Sequence, residues 1–296
     1  MVTFFECFSA LHNILPYLHT NLHLPNFLLH YRQHVDIIKL MNKHRIGIVE
    51  SNEIIAPNTY YIVVKVANMP QIKVGQFLMV SVPNGRFTLR RPFVICNHDK
   101  DKGTLDFCVV THGAGTRELV KVKAGESLDM LLPLGNSFPE DFRDKNVLLV
   151  SGGIGCLPLL PVAKEFPNTH AFMGFASKKN VILIDEFKKV SNQVFITSDD
   201  GSIGEKGFVT TVLRRELKNI KADAIFACGP DAMFLELRKI AEEYSIPTYI
   251  TGESRMACGF GACLCCNQLV EIDGVRENHR ACCEGPVFNI MEVVFE

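Results

Sequence analysis

Cys258-Gly-Phe-Gly-Ala-Cys263-Leu-Cys-Cys266, followed sixteen residues later by Cys282, is the most informative stretch of this chain. Three cysteines spaced C-x4-C-x2-C, with a distant fourth, form the plant-type ligand pattern of a [2Fe–2S] cluster. We therefore predict these four cysteines as ligands, although spacing alone also allows Cys283 in place of Cys282. Because such a cluster moves one electron at a time, the rest of the chain should supply or receive electrons.

Disulfides and zinc are the two other uses of clustered cysteines. The last forty residues hold six of the eleven cysteines. No secretory signal is visible at the start, so we expect a cytoplasmic protein, in which a disulfide framework has little support. Structural zinc usually takes C-x2-C pairs from two knuckles, and only Cys263 with Cys266 forms one. The cysteine pattern therefore favours an iron–sulfur cluster. The alternative, which is not a redox protein, is a binding module whose C-terminal segment is held together by zinc.

Length and charge limit the remaining functions. A chain of 296 residues fits two domains plus a small appendage. Its net charge of −1 creates no field that would attract nucleic acid. No run of about 18 apolar residues exists, so we expect no membrane span. Residues 1–40 hold five of the ten histidines and show no sustained helical or alternating pattern of apolar residues. We interpret them as a dispensable extension, or as the result of a start codon assigned too early.

The pattern of apolar residues predicts a multidomain fold of β and α/β type. Between 41 and 143, short β-like runs separated by turns predict a small antiparallel barrel. Between 144 and 250, strands alternate with helices, which predicts a Rossmann-like parallel sheet covered on both faces. Residues 251–296 would form the cluster domain. The predicted strands lie at 60–66, 77–82, 93–96, 105–110, 127–132, 147–150, 170–175, 194–197 and 224–228.

Two glycine-containing segments of the α/β half predict a dinucleotide site. Ser151-Gly-Gly-Ile-Gly-Cys156 follows a predicted strand and precedes a predicted helix, where a pyrophosphate could bind. Cys228-Gly-Pro ends a later strand. The segment between Thr197 and Gly204 could present oxygens to a ribose, or could be a surface turn. The predicted NAD-binding residues are Gly152, Gly153, Gly155, Cys228, Gly229 and Pro230.

The barrel half carries two candidate anion-binding segments. Arg90-Arg91-Pro places two guanidiniums beside an apolar strand, and arginine pairs well with the phosphates of a flavin nucleotide. Gly113-Ala-Gly115-Thr116 offers backbone N–H groups and a hydroxyl. The Arg-Arg-Pro segment alone is also compatible with a solvated basic turn.

From about residue 44 to the end, the chain resembles the electron-transfer subunits of class 1B dihydroorotate dehydrogenase, in the ferredoxin-reductase superfamily. The matching motifs are Arg-Met-Ala-Cys258-Gly-Phe-Gly-Ala-Cys263 and Cys282-Cys-Glu-Gly-Pro-Val-Phe288. The resemblance implies an FAD barrel and selects Cys282 as the fourth ligand. At Val94 this chain lacks the serine of the family's flavin motif. The implied FAD-binding residues are Arg91, Pro92, Phe93, Val94, Cys108, Val109, Val110, Gly115 and Thr116.

The same resemblance implies a function and a partner. Electrons would pass from an FMN-containing dihydroorotate dehydrogenase catalytic subunit through [2Fe–2S] and FAD to NAD+, in the biosynthesis of UMP. The complex would be a heterotetramer with two copies of each subunit, and this chain would not bind dihydroorotate itself. The alternative within the same class is a reductase subunit of a hydrogenase or of a ferredoxin:NAD(P) oxidoreductase.

Overall fold

The structure, a computed structural model, describes residues 42–252 and 254–295. The predicted extension, residues 1–40, lies outside the described residues.

The first half forms a closed antiparallel barrel. Its strands are β1 (His44–Ala56), β2 (Thr59–Val66), β3 (Phe77–Val80), β4 (Arg91–Asp99), β5 (Thr104–Val110) and β6 (Ser127–Leu134). In space they are ordered β1-β2-β5-β4-β3-β6. Alternate residues such as Ile62 and Val64 fill the barrel interior, as period-two alternation requires. Register shifts in β1 after Val49 and Ile54 bend this long strand, which helps the barrel to close.

The second half forms a seven-stranded sheet with helices on both faces. Its strands are β7 (Val147–Gly152), β8 (Thr169–Phe175), β9 (Gln193–Ser198), β10 (Glu205–Lys206), β11 (Ala224–Cys228), β12 (Thr248–Thr251) and β15 (Val287–Asn289), in the order β10-β9-β8-β7-β11-β12-β15. All neighbours are parallel except β15. Strand β7 is buried on both faces, which explains its uninterrupted apolar sequence.

Five short helices accompany the two sheets in the described residues. They are α1 (Ala114–Leu119), α2 (Leu160–Glu165), α3 (Ile184–Val190), α4 (Val209–Glu216) and α5 (Asp231–Tyr244). Helices α2 and α3 pack on one face of the parallel sheet, and α4 and α5 pack on the other. Within the described ranges, no helix has the length and apolar character needed to cross a membrane. The predicted fold class, a barrel followed by a Rossmann-like domain, is confirmed.

The C-terminal segment contributes to two structures. Its hairpin, β13 (Asn267–Ile272) and β14 (Val275–Arg280), stands beside the cysteine-rich loop. Strand β15 instead pairs antiparallel with β12 at the edge of the parallel sheet. We assigned the whole of 251–296 to a cluster domain, and that division stays a prediction. By its pairing, however, β15 belongs to the sheet.

A partly buried chain of polar side chains links the barrel to the α/β half. Lys164 Nζ donates to Asn97 Oδ1 at 2.8 Å, and Asn97 Nδ2 donates to Asp106 Oδ2 at 3.0 Å. The hydroxyl of Tyr61 donates to the same Asp106 oxygen at 2.8 Å. Burial and the neighbouring carboxylate raise the pKa of Tyr61, so the phenol stays protonated and remains a donor. These bonds hold together the two walls of the cleft described next.

Candidate functional site

A cleft of about 1110 Å³ separates the barrel from the parallel sheet. Its size suits a large cofactor together with part of a second ligand. Most of the predicted FAD and NAD residues line it: Arg91, Pro92, Phe93, Val94, Cys108, Val110, Thr116, Gly152, Gly153, Gly155, Cys228, Gly229 and Pro230. Residues predicted from two distant parts of the sequence thus come together on facing walls.

Two predicted flavin residues do not line the cleft. The side chain of Val109 is fully buried among the apolar residues inside the barrel, so only its main chain could face a cofactor. Gly115 lies behind Arg91, and a Cβ added at 115 would lie 2.6 Å from Arg91 Nη2. Glycine at this position therefore leaves room for the guanidinium.

Arg91 is the cation that the barrel presents to the cleft. Its Nη1 donates to the carbonyl of Leu89, and the guanidinium carbon lies 5.6 Å from the centre of the Phe87 ring. No carboxylate among the described residues lies within ion-pair distance of Arg91. The neighbouring Arg90 is instead paired with Asp129 at 2.9 Å. A cleft-facing guanidinium without an acidic partner fits the pyrophosphate of FAD.

The loop before α1 differs from our expectation of free N–H groups. Thr116 Oγ1 accepts hydrogen bonds from the backbone N–H groups of His112 at 3.0 Å and Gly113 at 3.3 Å. The N–H of Gly113 is therefore occupied by its own loop, and the predicted anion-binding concavity is wrong at that position. The threonine shapes the loop that borders the cleft.

On the opposite wall, the ends of β7 and β11 approach each other very closely. A Cβ at Gly155 would lie 2.1 Å from the carbonyl oxygen of Cys228, so only glycine permits this approach. Strand order reverses between β7 and β11, and such a switch point is where open parallel sheets bind ligands. The two predicted NAD segments therefore meet at one crevice.

A helix follows β7, as we predicted, but its first part is of the 3-10 type. Residues Gly153–Leu159 form a 3-10 helix that contains Pro158, and α2 begins only at Leu160. Proline has no N–H to donate and restricts its neighbours, which favours the tight turn. That the N-terminus of this helix holds the pyrophosphate stays a prediction.

The segment after β9 is partly a turn and partly a cleft wall. Asp200 Oδ1 accepts hydrogen bonds from the backbone N–H and the hydroxyl of Ser202, which lowers the pKa of Asp200, so this residue is a turn former. Asp199 and Thr197 line the cleft instead. Thr197 is 1% exposed, and its hydroxyl oxygen has no partner within the described residues. A buried hydroxyl without a partner suits a polar ligand group.

Sequence reasoning missed one apolar border of the cleft. Phe208, which is 72% exposed, and Leu235, which is 46% exposed, both line the cleft. Phe208 precedes α4, and Leu235 lies in the first half of α5. An exposed aromatic beside a cleft can stack on a flat ring. No sequence pattern marks Phe208, because its exposure arises from the packing of α4.

Among the four predicted cluster cysteines, Cys263 is a neighbour of Cys258, and Cys282 is a neighbour of Cys266. Hydrogen bonds from the backbone N–H groups of Cys258 and Cys265, and from the Cys258 thiol, lower the pKa of Cys263 to about 7. Cys282 is a neighbour of both Cys266 and Cys283, whose thiols help to raise its pKa. A low pKa favours the thiolate, which is the form that binds metals.

Glycines aim backbone N–H groups at these sulfurs. The N–H of Gly261 donates to Cys282 Sγ at 3.1 Å, and that of Phe260 donates to Cys258 Sγ at 3.5 Å. Gly259 and Gly261 have φ angles of +79° and +86°, which side-chain-bearing residues rarely adopt. Hydrogen bonds to sulfur are among the features that tune an iron–sulfur cluster.

The donor set fits a [2Fe–2S] cluster. Such a cluster uses four cysteines, two on each iron. Cys263 neighbours Cys258, and Cys282 neighbours Cys266, so each of these pairs would hold one iron.

The described cysteines of the barrel and the parallel sheet are unsuited to metal binding. Cys96 and Cys156 are fully buried. A hydrogen bond with the Cys108 thiol and burial raise the pKa of Cys96, and burial raises the pKa of Cys156. A buried neutral thiol behaves as a small apolar side chain. Cys108 and Cys228 differ because they also line the cleft.

Asn136 fastens the cluster segment to the barrel. Its amide donates to the carbonyls of Glu284 at 2.9 Å and Val287 at 2.8 Å, and its Oδ1 accepts from the Val287 N–H at 2.9 Å. Three hydrogen bonds from one side chain hold the chain just after Cys282. This attachment fixes the position of the fourth predicted ligand.

Replacement of Asn136 by alanine should destabilise this attachment. Leaving partly buried backbone groups without partners costs about 1–3 kcal/mol, so we expect the free energy of unfolding to fall by about that amount. Chemical denaturation of the purified protein measures this change. Asn219→Ala, on an exposed loop, is the control, and equal losses in the two variants would contradict the assigned role.

Comparison with known proteins agrees with this site. The family model of the iron–sulfur cluster binding domain of dihydroorotate dehydrogenase B matches residues 253–294, and that of the oxidoreductase FAD-binding domain matches residues 47–138. Among solved structures, an NADH-dependent reduced ferredoxin-NADP oxidoreductase superposes with a TM-score of 0.75 at 28% identity, covering 84% of this chain and 89% of the other. Phthalate dioxygenase reductase shares the fold, with a TM-score of 0.60 at 17% identity, covering 86% and 95%.

Curated relatives give the closer likeness in sequence. The electron transfer subunit of dihydroorotate dehydrogenase B (NAD(+)) from Streptococcus mutans is 36% identical over 260 residues, which are 86% of this chain and 99% of the relative. The corresponding subunit from Streptococcus pneumoniae is 38% identical over 252 residues, which are 83% and 96%. Since this identity extends over the barrel, the parallel sheet and the cysteine loop alike, the chain belongs to the family of dihydroorotate dehydrogenase B electron transfer subunits.

Proposed function

We propose that this chain passes electrons from an FMN-containing catalytic subunit, which oxidises dihydroorotate, to NAD+. The observation that carries the proposal is the shared cleft, whose facing walls bring together the predicted flavin and dinucleotide residues. The cysteine loop packs against the barrel beside that cleft. When bound, FAD exchanges one or two electrons and so joins a one-electron cluster to a two-electron hydride acceptor.

The two walls of the cleft would bind different cofactors, the barrel wall the flavin and the sheet wall the nicotinamide nucleotide. Arg91 would neutralise the flavin pyrophosphate, while the loop shaped by Thr116 borders the same cofactor. Gly155 and Gly229 would let a nicotinamide nucleotide approach the ends of β7 and β11. Together these residues orient the two ring systems and keep water from the space between them.

The cysteine loop offers the natural docking face for the catalytic subunit. Cys263 and Cys265 are exposed, and Leu264 is 59% exposed between them. An exposed apolar side chain beside the predicted ligands suits contact with a partner protein. We propose that the catalytic subunit covers this face, in a heterotetramer with two copies of each subunit. The ten described cysteines form no disulfide with one another, which fits the reducing conditions of the cytoplasm.

The proposed function is tested by reconstitution with the catalytic subunit. The two chains are co-expressed, purified anaerobically and supplied with dihydroorotate and NAD+. We expect them to co-purify and to form NADH, and we expect no NADH when this chain is omitted. A complex that contains FMN, FAD and iron but forms no NADH from dihydroorotate would refute the proposal.

A second candidate is a subunit of a reductase that uses ferredoxin. The structural likeness at 28% identity to the NADH-dependent reduced ferredoxin-NADP oxidoreductase favours it. In that case the chain would co-purify with a different partner, and reduced ferredoxin rather than dihydroorotate would drive the formation of reduced nucleotide.

Asp199 should make the cleft select NAD over NADP. Its carboxylate lines the cleft after β9, where it can accept from a ribose hydroxyl and would repel a 2′-phosphate. For Asp199→Ser we expect the ratio of kcat/KM for NADPH to that for NADH to rise about tenfold, which corresponds to about 1.4 kcal/mol. Steady-state reduction of an artificial acceptor measures both values.

Asp200→Asn is the matched control for this prediction. It removes a neighbouring negative charge but keeps the oxygen that Ser202 uses. We expect its nucleotide preference to remain that of the natural protein. Equal shifts in both variants would show that overall charge, rather than the position of Asp199, sets the preference.

A further inference from the structure

We propose that Met79, on the outer face of the barrel, is the packed contact through which the flavin and the iron–sulfur cluster exchange electrons. This inference rests on the proposed function, because it takes both groups to be bound by the residues assigned above. It assigns a positioning role to a residue that belongs to no motif of the sequence.

The register of β3 turns Met79 away from the barrel interior. Leu78 and Val80 belong to the apolar core inside the barrel. Because side chains alternate along a strand, Phe77 and Met79 point to the outside. Met79 is nevertheless completely buried, at 0% exposure. Another part of the protein must therefore cover this outward-facing side chain.

The cover is the cysteine loop. A Cβ built on Gly259 would lie 2.5 Å from Met79 Cγ, 3.2 Å from Met79 Sδ and 3.4 Å from Leu134 Cδ1. Gly259 directly follows Cys258, one of the predicted cluster ligands. The backbone of the ligand loop therefore rests on the thioether of Met79, without a side chain between them.

The other neighbour of Met79 is the flavin segment. Met79 is the antiparallel partner of Pro92, and Phe77 is the partner of Val94. Partners on the same face of adjacent strands have Cβ atoms about 4.5–5.5 Å apart. Both Pro92 and Val94 line the cleft. Only one strand spacing, about 4.8 Å, thus separates Met79 from the wall of the flavin site.

This arrangement matters because the step is a transfer of one electron without bond formation. With NADH as the donor, the reduced flavin loses one electron and the oxidised cluster gains it. Such transfer weakens steeply as the gap between the two centres widens, and it is favoured by closely packed atoms over an empty space. The polarisable thioether fills the gap, whereas a shorter side chain would leave a void that lacks contact atoms.

The test compares Met79→Ala with Met130→Ala. Met130 is also 0% exposed, but it lies on β6 and faces the barrel interior. Both changes remove a fully buried methionine side chain of the barrel, and only the first one opens the gap between the cysteine loop and the flavin segment. Stopped-flow absorbance with NADH follows flavin reduction and cluster reduction separately. FAD and iron contents and the thermal unfolding midpoint are measured on each variant.

We expect Met79→Ala to reduce its flavin at the natural rate and its cluster several-fold more slowly, with Met79→Leu restoring much of the rate. Met130→Ala should keep both rates. If Met79→Ala retains both cofactors and the natural rate of cluster reduction, or if Met130→Ala slows that rate equally, the inference is wrong while the proposed function stands. A natural protein that holds no FAD or no cluster would instead refute the proposed function.

If Met79→Ala loses its cluster, the inferred contact is tested on the natural protein instead. The inferred contact predicts that the electron paramagnetic resonance signal of the reduced cluster is broadened by an unpaired electron on the nearby flavin. An unbroadened signal, in protein shown to hold both paramagnetic groups, would overturn the inference.

Discussion

Replacement of Cys282 by serine should abolish the [2Fe–2S] cluster, whereas the same replacement of Cys283 should leave the cluster bound. Cys282 is 2% exposed, accepts the N–H of Gly261 at 3.1 Å and neighbours Cys266. Cys283 is exposed, and its sulfur lies 3.8 Å from that of Cys282. The two variants remove the same atom from adjacent residues, so each is the control for the other.

Iron and acid-labile sulfide contents, together with the visible spectrum of anaerobically purified protein, report the outcome. We expect almost no iron in Cys282→Ser and the natural iron content in Cys283→Ser. Loss of iron in Cys283→Ser alone would assign the fourth ligand to Cys283. Loss of iron in both variants would mean that the local fold, rather than one ligand, had been disrupted.

Replacement of Arg91 by alanine should weaken FAD binding strongly. The Arg91 guanidinium lines the cleft without a carboxylate partner among the described residues. Hydrogen bonds to charged groups contribute about 1.5–3 kcal/mol, so we expect the Kd for FAD to rise by about 10- to 150-fold. Titration of the flavin-free protein with FAD, followed by flavin fluorescence, measures the change.

Arg90→Ala is the matched control for the flavin prediction. Arg90 precedes Arg91 in the chain, but its guanidinium is paired with Asp129 at 2.9 Å. Its loss should change stability slightly and leave the Kd for FAD unaltered. If Arg90→Ala weakened FAD binding as much as Arg91→Ala, the assignment of Arg91 to the pyrophosphate would be wrong.

The sequence predicted those parts of the protein that depend on local rules. The strands followed from alternation and from turn residues, and the cluster ligands followed from the spacing of the cysteines. Arg91 and the glycines at 152 and 155 were found because their chemistry is tied to residue type. The resemblance implied a main-chain contact at Val109, which is compatible with alternation along β5, because Val109 points its side chain into the barrel while Cys108 and Val110 line the cleft.

The parts that escaped prediction depend on contacts between distant segments. Strand β15 joins the parallel sheet by pairing with β12, and Asn136, which is far away in the sequence, binds Val287 at its start. In the 3-10 helix after β7, Gly155 lies directly against the carbonyl of Cys228, a contact between segments that are distant in the sequence. Met79 occurs in an ordinary apolar run, and its position between two sites appears only when the barrel and the cysteine loop are packed together.

The most direct test of the account is a count of the electrons that one chain accepts. Anaerobically purified protein is titrated with a reductant of known strength while its visible spectrum is recorded. FAD takes two electrons and a [2Fe–2S] cluster takes one, so we expect three electrons per chain and bleaching of both chromophores. A protein that takes two electrons per chain, carries stoichiometric zinc and shows only a flavin spectrum would contradict the account.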